Sequence, residues 1–231
     1  MSEATNTLAP KAGSRKRRIL LGGGIIVALV VTWLGFDLYS PRTSHLRDFN
    51  ADEVARLETA MWRSYYSRQQ VRLFLQLGEL LRQQYNMPAA RSNLVAYHAA
   101  KAAFVFKDGK QRSDYEKALP DLVKFYQAVR EVSDTSFDVD RAAKLELEWW
   151  IIHRQRAQRA EGDLVRSLAE LQAELYHVPV AKLMEYARLR AEAMTIRDNK
   201  AEADGVTEED WAKIAELLRG SWKSLSLAVN S

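Results

Sequence analysis

Eighteen consecutive residues without a charge, Ile19 to Phe36, set the first limit on what this 231-residue chain can become. At 1.5 Å per helical residue the run reaches about 27 Å, close to the hydrocarbon thickness of a bilayer. Trp33, Phe36 and Tyr39 gather at its far end, where aromatic side chains settle at a membrane–water interface. Arg15, Lys16, Arg17 and Arg18 abut the near end, whereas Arg42 and Arg47 beyond the far end are offset by Asp37 and Asp48. By the positive-inside rule the cationic end stays in the cytoplasm. The exit Asp37-Leu-Tyr-Ser-Pro-Arg carries no small-residue cleavage pattern, so the segment reads as an uncleaved signal anchor. The expected layout is a basic cytoplasmic tail over 1–18, a transmembrane anchor over 19–39, a spacer over 40–49 and an extracytoplasmic domain over 50–231. The lipid bilayer is thus the first partner, and a bacterial-type inner membrane with a periplasmic C-terminal domain is the expected location.

Charge and cysteine content remove several function classes. The chain is net +4, but residues 1–18 hold five cations and one anion, so the body from residue 40 is nearly neutral. A nucleic-acid binder shows a basic patch on its folded domain, so no nucleic-acid partner is expected. With no cysteine there is no disulfide framework, thiolate zinc site, cysteine-ligated iron–sulfur cluster or cysteine nucleophile. Serine-elbow, phosphate-loop and kinase-type signatures are also missing.

The body reads as all-α, an antiparallel bundle of about six to seven helices, because apolar residues recur at helical spacing with no sustained alternation. Asn50 caps a long helix expected to run to Tyr85. Pro88 opens the next, to about Phe106. Ser113-Asp-Tyr-Glu116 has the spacing of a capping box for a third helix, which Pro120 must kink or restart. Asp138 or Asp140 starts a fourth, to about Ala160, and a fifth ends near Tyr176. Pro179 opens a sixth, Gly205 breaks the chain, and Thr207 starts the last. Short connections between such helices favour antiparallel neighbours.

Two constellations stand out for function. Glu58, His98, Glu146, Glu148 and His153 lie on otherwise apolar helical faces, where a carboxylate seldom sits without a partner. Helical bundles can build di-metal carboxylate sites from such residues, with iron or a non-covalent haem as the cofactor, but the Glu-x-x-His spacing of di-iron proteins is missing. The alternative is a structural network, with Glu58 paired to Arg63 or Arg154. The second constellation is aromatic: Trp62, Tyr66, Trp149 and Trp150, with Arg63 beside them, combine residue types that dominate binding hot spots. They are expected either to fill the core or to form a partner surface or hydrophobic ligand groove. The favoured expectation is a non-enzymatic accessory or assembly subunit tethered beside a membrane-protein partner. The rival is a metal- or haem-dependent oxidoreductase with its site inside the bundle.

Overall fold

The computed structural model describes residues 12–39 and 43–231, with side chains described from Ile25 onward. It falls into two units, Met1–Ser40 and Pro41–Ser231. In the first, α1 runs over Ala12–Tyr39. Its described apolar side chains are largely exposed, among them Ile26, Val31, Trp33 and Phe36. Among the described residues no helix is long and apolar enough to cross a membrane. Side chains 19–24 of the expected anchor, and the tail 1–11, lie outside the described residues.

The second unit is all-helical, as its periodicity implies. The long helices are α2 (Ala51–Tyr66), α3 (Gln70–Tyr85) and α4 (Ala89–Asp108), then, after the single turn α5 (Arg112–Tyr115), α6 (Leu119–Val132), α7 (Val139–Arg154), α8 (Asp163–Tyr176), α9 (Met184–Glu202) and α10 (Glu208–Val229). Among the described residues there is no strand, only an isolated bridge between Ser44 and Ser133. Each long helix packs against the next in sequence, and α10 returns to pack against α2. The unit is therefore a closed ring of eight up-and-down helices. That ring is larger than the expected bundle.

Sequence punctuation explains most of the ends. Asn50 Oδ1 accepts from Glu53 N at 3.1 Å, and Asp138 Oδ1 accepts from Arg141 N at 3.0 Å. Thr207 and Asp210 form a reciprocal capping box. Pro120 restarts the chain at the beginning of α6. The expected box at Ser113 does not form: Ser113 lies inside α5, whose N-cap is Gln111.

A further expectation is corrected. The helix drawn from Asn50 to Tyr85 is broken at 67–69, where Arg68 takes a left-handed conformation with φ of 57°. Gln69 N donates to Ser64 O (2.9 Å) and Arg68 N to Tyr65 O (3.2 Å), the two bonds of a Schellman cap. No glycine or proline announces it. The expected spacer, from Ser44 on, packs on the body; residues 40–42 lie outside the described residues. Ser44 Oγ donates to Tyr85 O at 2.9 Å, and the Arg47 guanidinium donates to Tyr176 O and Val229 O, each at 2.8 Å. Leu46 is fully buried. The segment thus ties together the ends of α3, α8 and α10 and covers one end of the ring.

A non-glycine residue in the left-handed region carries about 1–2 kcal/mol of strain. Arg68→Gly should therefore stabilise the protein by about 1 kcal/mol, read as a higher urea midpoint by tryptophan fluorescence. Were 50–85 one continuous helix, the same change would instead cost about 1 kcal/mol.

Candidate functional site

Eight helices in a ring leave more space at the axis than side chains fill. The result is a chamber of about 1100 Å³, just above the roughly 300–1,000 Å³ common for small-molecule pockets. The 3.6-residue period decides what faces it. Glu58, Met61, Trp62, Tyr65 and Tyr66 form one stripe of α2, and Glu146, Trp149, Trp150 and His153 form one stripe of α7. The lining is mostly apolar, with Phe74 and Leu77 from α3 and Phe104 from α4. Tyr65 and Phe104 remain 41% and 45% exposed where α2 and α4 finish, which marks the mouth. The opposite end lies under the Ser44–Phe49 segment.

Its lower half carries buried polar groups, each held by neighbours far away in sequence. Glu58, 2% exposed, accepts from Arg190 Nη1 at 2.8 Å and from Trp222 Nε1 at 2.6 Å, while its second oxygen sits 2.5 Å from Arg190 Nη2. This bidentate fork joins α2 to α9 and α10 at the seam where the ring closes. Burial works against a charged Arg190, but Glu58, with Glu146 further off, outweighs it and raises its pKa. Glu146 accepts from Tyr126 Oη at 2.7 Å and Trp150 Nε1 at 2.8 Å. Its burial nevertheless raises its pKa above the ordinary carboxylate value. Burial also pushes the phenols of Tyr85, Tyr126 and Tyr176 up, and that of Tyr186 to about 12.

The mouth carries a second cluster, centred on Asp198. Its Oδ1 accepts from Arg197 Nη1 at 2.6 Å. Its Oδ2 lies 2.9 Å from His153 Nε2, at ion-pair distance without hydrogen-bond alignment, and 3.4 Å from Arg156. Burial alone would raise the Asp198 carboxyl, but His153 and Arg197 hold it below its usual value. The Arg197 guanidinium stacks 3.1 Å over the Tyr66 ring, and burial raises the Tyr66 phenol to about 12. Arg154 caps the end of α4 through the Phe106, Lys107 and Gly109 carbonyls and lies 4.6 Å over the Phe106 ring.

The candidate metal residues take separate partners. His98 pairs with Asp121 at 2.9 Å on the α4–α6 face, and Glu148 pairs with Arg112 at 2.9 Å across α5 and α7. Glu58, Glu146 and His153 do line the chamber, yet Glu58 is bound by Arg190, Glu146 by Tyr126 and Trp150, and His153 by Asp198. Among the described residues no group of three or more His, Asp or Glu side chains is placed to hold a metal ion. Glu58 does pair with an arginine, as the structural-network alternative expects, but with Arg190 and not with Arg63 or Arg154. Arg63 pairs with Glu208 and covers the Trp211 ring at 5.4 Å, while Arg154 caps α4. Of the aromatic constellation, Trp62, Tyr66, Trp149 and Trp150 all line the chamber; Arg63 does not. Sequence reading missed Arg190, Trp222, Arg197 and Asp198. Arg190, Arg197 and Asp198 do share one helical stripe of α9, which was the available signal.

Compared with known proteins, the chain matches no family model, no curated protein and no solved structure.

Removing one member of a buried ion pair leaves the other charge unpaired, at a cost of about 3–5 kcal/mol, whereas an apolar pair of similar size is often neutral. Glu58→Gln should lower stability by about that amount in urea titrations. The double variant Glu58→Met/Arg190→Met should recover most of the loss. A single-variant cost of less than about 1 kcal/mol, the level of exposed pairs, would remove this pair from the seam.

Proposed function

We propose that the chain is a membrane-anchored, non-enzymatic accessory subunit whose helical ring holds the apolar part of a hydrophobic guest. The observation that carries this reading is the chamber of about 1100 Å³ lined mostly by aromatic and aliphatic side chains. Pockets of this kind bind through buried apolar area, with a few polar groups fixing orientation. The four aromatic residues singled out above give the guest rigid contact surface at low entropic cost, because each has only two side-chain torsions. The anchor part of the reading rests on the uncharged run Ile19–Phe36 and the cations before it. It puts the N-terminus in the cytoplasm and the ring in the periplasm, beside membrane-protein partners. The rival metal- or haem-dependent oxidoreductase gains no support from the arrangement of Glu58, His98, Glu146, Glu148 and His153, whose side chains each have another partner.

Two measurements test the proposal. The full chain in nanodiscs should bind a polarity-sensitive apolar fluorophore with one saturable site per chain. Ala103→Trp, on the chamber wall, should weaken that binding at least about tenfold while far-ultraviolet circular dichroism stays unchanged. Equal binding by both proteins would place the fluorophore outside the chamber and remove the reading's support. For the anchor, a reporter active only in the cytoplasm, fused after Ser231, should be silent in cells; an active fusion contradicts a periplasmic ring.

A further inference from the structure

Resting on the guest-binding reading above, we propose that the guest is an anionic amphiphile, a single hydrocarbon tail with one carboxylate or phosphate head, and that Arg197 and its neighbours at the mouth receive the head. The proposal follows from how polar groups are distributed along the chamber. In the lower half, the charged and strongly polar groups already bind one another: Glu58 with Arg190 and Trp222, Glu146 with Tyr126 and Trp150. What these stripes leave for a guest between floor and mouth is mostly apolar, including Trp62, Phe74 and Leu77, with Gln84 and Gln172 among them. An elongated hydrocarbon suits that wall, on which, among the described residues, only Trp149 Nε1 and Gln172 Oε1 are buried polar atoms without a hydrogen-bond partner.

The mouth is different. Lys107, Arg154, Arg156 and Arg197 line it against two carboxylates, Asp198 and Glu202. Arg156 pairs with both of those carboxylates, and Arg197 pairs with Asp198. Lys107 has no ion-pair partner among the described residues. The mouth therefore keeps an excess of positive charge where the nearly neutral body otherwise balances its charges.

A second observation is independent of that excess. Arg197 Nε is buried and has no hydrogen-bond acceptor, although the same guanidinium is held in place by Asp198 on one side and by the Tyr66 ring on its face. A buried donor without an acceptor is costly. The guanidinium is fixed in place, not a mobile surface cation, and its exposed edge suits an oxygen anion. Guanidinium groups bind carboxylate and phosphate oxygens through paired N–H donors, and a nearby Lys107 ammonium adds a second, more mobile charge.

The test compares heads on one tail. Full-length protein in nanodiscs is loaded with a polarity-sensitive apolar fluorophore and titrated with hexadecanoate, hexadecyl phosphate or hexadecanol. The proposal expects both anions to displace the fluorophore at least about tenfold more tightly than the alcohol, with the anion preference falling as salt rises. Arg197→Met should erase the anion preference while leaving hexadecanol binding unchanged. Should that variant misfold, the comparison of heads on the unaltered protein still decides. Equal affinity of acid and alcohol would overturn the anionic-head proposal and leave the apolar chamber standing. Failure of all three to displace a fluorophore that Ala103→Trp excludes would overturn the proposal and show that the chamber takes a shorter or more compact guest. Failure of the fluorophore itself to bind would overturn both.

Discussion

Glu58 is a buried carboxylate on the first helix of a ring that closes only with the last two. Its fork with Arg190 and its bond from Trp222 span 132 and 164 residues of sequence. Contacts between the other neighbouring ring helices are local in sequence, and those alone would be as content in an open, curved stack; only the packing of α10 on α2 is long-range. The Glu58 fork is the buried link between the two ends of that stack, with Arg63–Glu208, Arg219–Asp52 and Lys223–Asp52 as exposed pairs beside it. Around it, Phe49 meets the Trp222 ring edge-to-face at 5.6 Å, and Tyr186 meets the same ring at 6.1 Å. The seam is thus polar at its centre and aromatic around it, a combination that fixes geometry as well as burying area.

Closure has a geometric consequence. Four antiparallel helices meet at a common core, but eight arranged in a circle cannot all touch at the axis. The stripes that would have formed a core in a smaller bundle become the wall of a chamber instead. The Ser44–Phe49 segment covers one end of the ring through Leu46 and the Arg47 bonds to Tyr176 and Val229. Tyr65, Tyr97 and Phe104 on the wall stay about half-exposed.

Much of this order is readable in the sequence, because helix ends and helix faces are local properties. Asn50, Asp138, Pro120, Thr207 and Gly205 mark real boundaries for the physical reasons that make those residues caps and breakers. Arg68 does not: a left-handed arginine is set by the packing of α2 on α3, and nothing local distinguishes it from the next helical residue. The site divides in the same way. Trp62, Tyr66, Trp149 and Trp150 stand out by type and spacing, and all four face one chamber. That they face each other depends on ring closure, and so does the partner of Glu58. Arg63 and Arg154 are near Glu58 or the tryptophans in sequence, whereas Arg190 is near in space. Glu146, Glu148 and His153 share a helix, yet their partners come from α6 and α7, from α5, and from α9, so spacing on α7 alone could not assemble or dissolve a metal site.

The central claim is that the closed ring holds a guest, and native mass spectrometry of the full chain, released gently from the membrane of the cells that make it, tests this most directly. The account predicts one low-mass amphiphile retained per chain, absent when Ala103 is replaced by Trp. A bare chain mass for the unaltered protein, still bare after incubation with hexadecanoate, would contradict it.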